Sequence, residues 1–209
     1  MLRWDLKGRD ITDPRVLSAM MEVPREEFVP DSHRLQAYTD GPLPIGSNQT
    51  ISQPYIVALM TQELRVDWDC EVLEVGTGSG YQTAVLSKLV KKVYTIERFG
   101  ELADSAKTVL ERLGISNVEF HVGDGSGGWP DSRLPPSGYF DRIMITAAVP
   151  EIPKPLAAQL IDGGLIVAPV GGRSVQELVA CEKKGDNLIG RAICDVRFVR
   201  LIGKHGFEQ

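Results

Sequence analysis

Three glycines alternate at Gly76, Gly78 and Gly80, inside residues 72–86, which read VLEVGTGSGYQTAVL. An apolar run precedes them and a helix-like stretch follows. Such a turn can hold a ligand against the main chain. Gly76 permits a tight turn out of a strand, Gly78 lets the backbone approach without a Cβ in the way, and the helix start offers unpaired N–H groups. Glu97 lies 21 residues after Gly76, at the end of the next strand-like run. A carboxylate there can accept from both hydroxyls of a ribose. The spacing is G-x-G-x-G, and Tyr81 stands where a dinucleotide site has its third glycine, the one that packs beneath a pyrophosphate. The pattern therefore favours a ligand with a ribose and no pyrophosphate, S-adenosylmethionine rather than NAD. A bare tight turn is the plainer alternative; the strand before, the helix after and the distant acid weigh against it.

Two further elements carry polar groups. In VGDG, residues 122–125, Asp124 can accept from an exocyclic amino group such as adenine N6, and Gly125 can present its N–H to a ring nitrogen. Asp-Gly is also a common turn, so this element draws its weight from its place after a third strand. In QTISQPYIV, the Ser52 hydroxyl can donate to a carboxylate oxygen, or it can cap the helix that follows. Glu74 is an acid inside an apolar strand. Tyr38, with Asp40 and Pro42, suggests a flap. Trp129 either shields a site or packs, and His121 reads as a packed or edge residue rather than a base. No His-Asp or Cys-His constellation is evident. His33, His121 and His205 lack metal-ligand spacing, and Cys70, Cys181 and Cys194 are far apart and odd in number. Neither a metal site nor a disulfide framework is expected.

The elements that must position these residues follow from periodicity. TDPRVLSAMMEV reads as a helix capped by Asp13, and ISQPYIVALMTQEL as a second helix opened by Ser52 and Pro54. Between Pro24 and Gly46 the proline-laden chain reads as irregular. Strand-like runs fall at 71–75, 92–96, 118–122, 140–145 and 164–168, with helices between the first three. That alternation predicts an α/β fold with a parallel sheet covered by helices on both faces. Residues 123–138 form a Gly- and Pro-rich loop at a strand end, where such folds place ligands. VQELVACE and LIGRAICDVRFV flank KKGDN and predict a C-terminal antiparallel hairpin. Residues 1–66 read as an N-terminal helical cap and substrate segment, and residues 67–209 as a Rossmann-like core, integrated in one domain.

The 209 residues suffice for one α/β domain, with 43% hydrophobic and 24% charged residues. A formal net charge of −5 without any Lys/Arg block argues against nucleic acid as a partner. No signal-peptide pattern and no apolar run of membrane length is seen, so a cytoplasmic location away from membranes is expected.

With PLPIGSNQTISQPYIVALMTQEL, VLEVGTGSGYQTAVLSKLV, VGDGSGGWP, FDRIMITAAVPEIP, LIDGGLIVAPVG and VRFVRLIG, the chain resembles the protein-L-isoaspartate O-methyltransferases of bacteria and archaea, from about Val16 to Ile202. The glycine turn is shared by many methyltransferases; PLPIG with QTISQP is far more specific. The resemblance implies a class I S-adenosylmethionine-dependent methyltransferase sheet with an N-terminal helical subdomain and a rearranged C-terminal edge. It implies methyl transfer to the free α-carboxylate of isoaspartyl residues in damaged proteins and peptides, leaving S-adenosylhomocysteine. The ester then closes to a succinimide that reopens partly to aspartate. The family's active-site serine falls on Ser52. Its cofactor contacts fall on Thr50, Ile51, Ser52, Gly76, Gly78, Ser79, Glu97, Arg98, Asp124 and Gly125. Glu74 falls near the methionine end. The chain departs from the pattern at Arg200, where many members have proline, and at Asn48, where many have glycine.

Other readings remain. Amino-methylating nucleic-acid enzymes often carry Asn/Asp-Pro-Pro-aromatic after the fourth strand, where residues 145–150 here read ITAAVP. A cofactor-binding module without catalysis is disfavoured by the intact QTIS, and a dehydrogenase by the glycine spacing.

Overall fold

The computed structural model describes residues 1, 5–130, 134–135 and 137–208. Among the described residues, five α-helices are α1 (Pro14–Glu22), α2 (Pro54–Leu64), α3 (Tyr81–Ser87), α4 (Gly100–Arg112) and α5 (Lys154–Ala158). Strands β1 (Leu43–Gly46) and β2 (Gln49–Ile51) form a small hairpin. The large sheet holds β3 (Glu71–Val75), β4 (Lys92–Glu97), β5 (Val118–Val122), β6 (Phe140–Ile145), β7 (Leu160–Gly171), β8 (Gln176–Lys184) and β9 (Asn187–Val196). Its order is β5-β4-β3-β6-β7-β8-β9. The first five strands are parallel, while β8 and β9 continue as an antiparallel meander.

Alternation along the central strands sorts side chains onto two cores. Val72, Val93, Met144 and Val167 face the helical side, in one cluster with Met20, Leu59, Val85 and Leu110 from α1 to α4. Leu73, Ile96, Ile143 and Ile166 face the other side, with Trp129 and Leu156. Helical cover is thus uneven: α5 and the Trp129 loop serve the second face. Trp129 itself packs edge-on to Tyr94 at 5.2 Å and to His121 at 5.8 Å, so both rings are packing groups.

Local chemistry explains most boundaries. Asp13 accepts from Arg15 N at 2.8 Å and caps α1. Ser52 does not cap α2: Pro54 is the first helical residue, so the cap position falls on Gln53, whose side chain instead reaches Asp40 Oδ2 at 2.7 Å. The segment from Pro24 to Gly46 is more ordered than its prolines suggest. It makes 3₁₀ turns at Arg25–Phe28 and Asp31–Gln36 and then β1. The β1–β2 turn passes through Ser47 (φ +48°) and Asn48 (φ +55°). Asn tolerates this left-handed region, which accounts for Asn48 in a position that favours glycine. Arg200 is equally accommodated. Val199 O accepts from Ala148 N and Leu201 N donates to Ala148 O, so both ladder bonds use its neighbours.

Candidate active site

The chain leaves β3 through Gly76 (φ +102°), Gly78 (φ +53°) and Gly80 (φ +87°). A Cβ on Gly76 would lie 2.4 Å from Thr146 Oγ1, which itself donates to Gly76 O at 2.5 Å. A Cβ on Gly80 would lie 3.0 Å from the Cβ of Ala106, so the third glycine seats α4 close to the turn. Tyr81 points to the N-terminal segment. Its ring meets Phe28 edge-on at 5.6 Å, and the Arg25 guanidinium lies 4.7 Å above it. The G-x-G-x-G spacing thus reflects close helix packing at position 80 and an aromatic anchor at position 81.

At the end of β4, Glu97 is buried. Its Oε2 accepts from Gly78 N at 2.9 Å and its Oε1 from Phe99 N at 3.0 Å. A carboxylate offers about four acceptor sites, so two remain for a ribose diol. Glu97→Gln keeps the shape and removes the charge. It should weaken S-adenosylhomocysteine binding by about tenfold in calorimetric titration.

Every expected site residue except Asp124 lines one open cleft of about 940 Å³. Thr50, Ile51 and Ser52 come from β2 and the link to α2, Ser79 from the glycine turn, Arg98 from the end of β4, and Gly125 from the loop after β5. A Cβ on Gly125 would lie 2.6 Å from Val75 Cγ1, which explains the glycine. Asp124 lies beside the cleft, in a smaller cavity shared with Arg98 and Ile202. Its Oδ1 accepts from Ser126 N and Oγ, and its Oδ2 from Lys204 N. Thr146, Val199 and Leu201 also line the cleft.

A second cleft, of about 1120 Å³, opens on the other side of Ser52, between Pro42, Ile56 and Phe198. The two clefts share Thr50, Ser52, Thr146 and Val199. The Ser52 hydroxyl makes no hydrogen bond to the described residues, while its carbonyl accepts from Arg25 Nη2 at 2.7 Å. Arg25 is fully buried, also donates from Nε to Ala37 O at 2.7 Å, and is pushed down to about 10 by burial. No sequence signal marks it, because an arginine in a proline-rich stretch reads as surface. Tyr38 hydrogen-bonds Glu26 and is raised to about 12, by burial first and then by that bond.

Beneath the turn, Glu74 is fully buried. Its Oε2 accepts from Thr83 Oγ1 at 2.5 Å and Thr95 Oγ1 at 2.7 Å, while Oε1 has no partner among the described residues. Burial pushes its pKa up to about 8 despite the two hydroxyls. The native state therefore keeps a proton that the unfolded chain releases above about 4.5. Rising pH between those two values should favour unfolding. Wild type should lose melting temperature from pH 5 to pH 8, and Glu74→Gln should flatten the decline. Parallel curves for both proteins would refute the assignment.

A parallel sheet with a glycine turn, a buried acid at the end of the next strand and a cleft over both defines a class I S-adenosylmethionine-dependent methyltransferase. The chain matches the family model described as protein-L-isoaspartate(D-aspartate) O-methyltransferase over residues 1–206, and it belongs to that family. It is 51% identical over its full length to the protein-L-isoaspartate O-methyltransferase of Methanoregula boonei, covering 94% of that protein. It is 55% identical over 95% of its length to protein-L-isoaspartate O-methyltransferase 2 of Nitrosococcus oceani, covering 89% of it. Among solved structures, a protein-L-isoaspartate O-methyltransferase superposes with a TM-score of 0.85 at 33% identity, over 98% of this chain and 66% of that one. A Plasmodium falciparum protein assigned to the same family, in complex with S-adenosyl-L-homocysteine, superposes with a TM-score of 0.80 at 26% identity, over 96% of both chains.

Proposed function

We propose that the enzyme methylates the free α-carboxylate of L-isoaspartyl residues in damaged proteins and peptides, at the wall shared by its two clefts. That shared wall carries the reading: Thr50, Ser52, Thr146 and Val199 face both a cofactor cleft and a substrate cleft. S-adenosylmethionine supplies an electrophilic methyl group and leaves as S-adenosylhomocysteine. Glu97 takes the ribose hydroxyls, and Gly125 N–H and the Asp124 carboxylate take the adenine edge. Gly76, Gly78 and Ser79 give the main chain its close approach. Thr50 to Ser52 close the cleft at the reacting end, and Arg98 flanks its adenine side.

A carboxyl group with a pKa of about 4 is already ionised near neutral pH. No general base is needed. The work left to the protein is alignment and exclusion of water. Ser52 Oγ donates to one carboxylate oxygen and leaves the other to attack. The bond from that oxygen to the methyl carbon forms as the sulfur–carbon bond breaks, and no proton moves. Arg25 fixes the Ser52 main chain from below.

The partners are isoaspartyl proteins and peptides, and the place of action is a reducing cytoplasm. Three unpaired cysteines support that setting. No described helix is long and apolar enough to cross a membrane. Incubation with methyl-labelled S-adenosylmethionine and an isoaspartyl hexapeptide should place label on the peptide, and mild base should release it, because a carboxyl methyl ester is base-labile. Base-stable label, or none, would mean a different acceptor.

A further inference from the structure

The segment after β9 returns to the cofactor cleft. Leu201 and Ile202 line the cleft, and Ile202 also lines the small cavity beside Asp124. At one end, Val199 and Leu201 are bonded to Ala148, just past β6. At the other end, Lys204 N donates to Asp124 Oδ2 at 2.7 Å and His205 N donates to Ser126 Oγ at 2.9 Å. β6 and β5 stand three places apart in the sheet, about 14 Å at the usual strand spacing. The five residues from Arg200 to Lys204 take four Cα steps, which reach about 13 Å at most. The segment is thus a strap tied at Ala148 on one side of the cleft and at Asp124 and Ser126 on the other. Beyond Lys204 it folds back on itself, with Phe207 N donating to Leu201 O at 2.8 Å.

The contact with Asp124 is close and uses backbone. A Cβ on Gly203 would lie 2.0 Å from Asp124 Oδ1 and 2.6 Å from Ser126 Oγ. Ser126 Oγ takes the His205 N–H and passes its own hydrogen to Asp124 Oδ1 at 2.6 Å. Three of about four acceptor sites on this carboxylate are therefore filled, two on Oδ1 and one on Oδ2. One site on Oδ2 remains. Burial raises the Asp124 pKa, but the bonds from Ser126 and from Lys204 N–H outweigh it and hold the carboxyl below its ordinary range.

We propose that the strap, residues 200–208, is a positioning element for the cofactor: its Lys204 N–H fixes the Asp124 carboxylate so that its one open acceptor site meets the adenine amino group. This rests on the adenine role proposed for Asp124, and it explains why an aspartate exposed at a loop tip can discriminate a base. An unrestrained carboxylate would rotate and solvate. Lys204 acts through its main chain, so its side chain is free to vary while its N–H is not.

Calorimetry with S-adenosylhomocysteine and with S-inosylhomocysteine, which carries a 6-oxo group in place of the 6-amino group, tests both layers. The unaltered protein should prefer the adenosyl form by at least about tenfold. Lys204→Pro removes the donor and should reduce that preference to within about threefold, and Lys204→Ala, which keeps the N–H, should restore it. Gly203→Ala, through its clash with Asp124 Oδ1, should behave like Lys204→Pro. The preference ratio separates this role from general loosening, which would weaken both ligands alike. If the unaltered protein shows no preference, the adenine contact itself is wrong and the strap's role goes with it. If it shows the preference and both Lys204→Pro and Gly203→Ala keep it in full, the adenine contact stands and the strap inference is overturned.

Discussion

A hexapeptide carrying normal aspartate should be methylated at least about 100-fold more slowly than its isoaspartyl twin. In isoaspartate the main chain runs through the side-chain carbonyl, and the α-carboxylate sits directly on Cα. In aspartate the free carboxylate is one methylene further from the Cα that stays in the chain. The site can detect that difference because its wall is fixed. Ile51 pairs with Leu43 across the hairpin, and the buried Arg25 holds the next residue, Ser52, by its carbonyl. On the far side, Val199 is held by Ala148 at 2.7 Å. A peptide laid in the second cleft therefore meets Ser52 with little slack. A misplacement of about 1 Å at the reacting oxygen costs on the order of 100-fold in rate. Initial rates on matched peptides measure it; rates within tenfold of each other would show that this wall does not set the acceptor.

Much of this arrangement is written in local sequence. The strands at 71–75 and 140–145 match β3 and β6, because buried parallel strands are short apolar runs between turn signals, and the half-buried edge run at 118–122 matches β5. β7 is longer than the predicted 164–168: Leu160 pairs with Phe140, but a register irregularity follows, and Asp162 with two glycines breaks the apolar pattern. The β1–β2 hairpin was hidden for a similar reason: Pro44 and the Gly46 irregularity remove the alternation that marks a strand. The glycine turn is legible because a tight turn with positive φ and close helix packing favours glycine at fixed positions, and Glu97 because it ends the next strand-like run. What stayed out of reach is long-range. Arg25 meets Ser52 across 27 residues, and Asp124 meets Lys204 across 80. Neither pairing leaves a periodicity or a motif, and each uses a main-chain group on one side, so residue type at that side carries no trace.

Ser52→Ala should lower kcat/KM for the isoaspartyl peptide on the order of 100-fold while leaving the affinity for S-adenosylhomocysteine within about threefold. The hydroxyl makes no hydrogen bond to the described residues of the free protein, so its removal leaves no stranded partner behind. A charge-assisted bond to the acceptor carboxylate is worth roughly 1.5–3 kcal/mol, or roughly 10- to 150-fold. The upper part of that range applies because the same bond also aligns the attacking oxygen. A helix-capping serine would behave differently and would lose about 1 kcal/mol of stability on conversion to alanine. Here the cap position belongs to Gln53, so the melting temperature should hardly move. Ser52→Thr, which keeps a hydroxyl donor, should recover part of the rate. Melting, cofactor titration and initial rates on the same three proteins separate the roles. An alanine variant that melts several degrees lower yet turns over at the wild-type rate would make Ser52 a structural residue and move the acceptor contact to Thr50 or Thr146, the other hydroxyls on the shared wall.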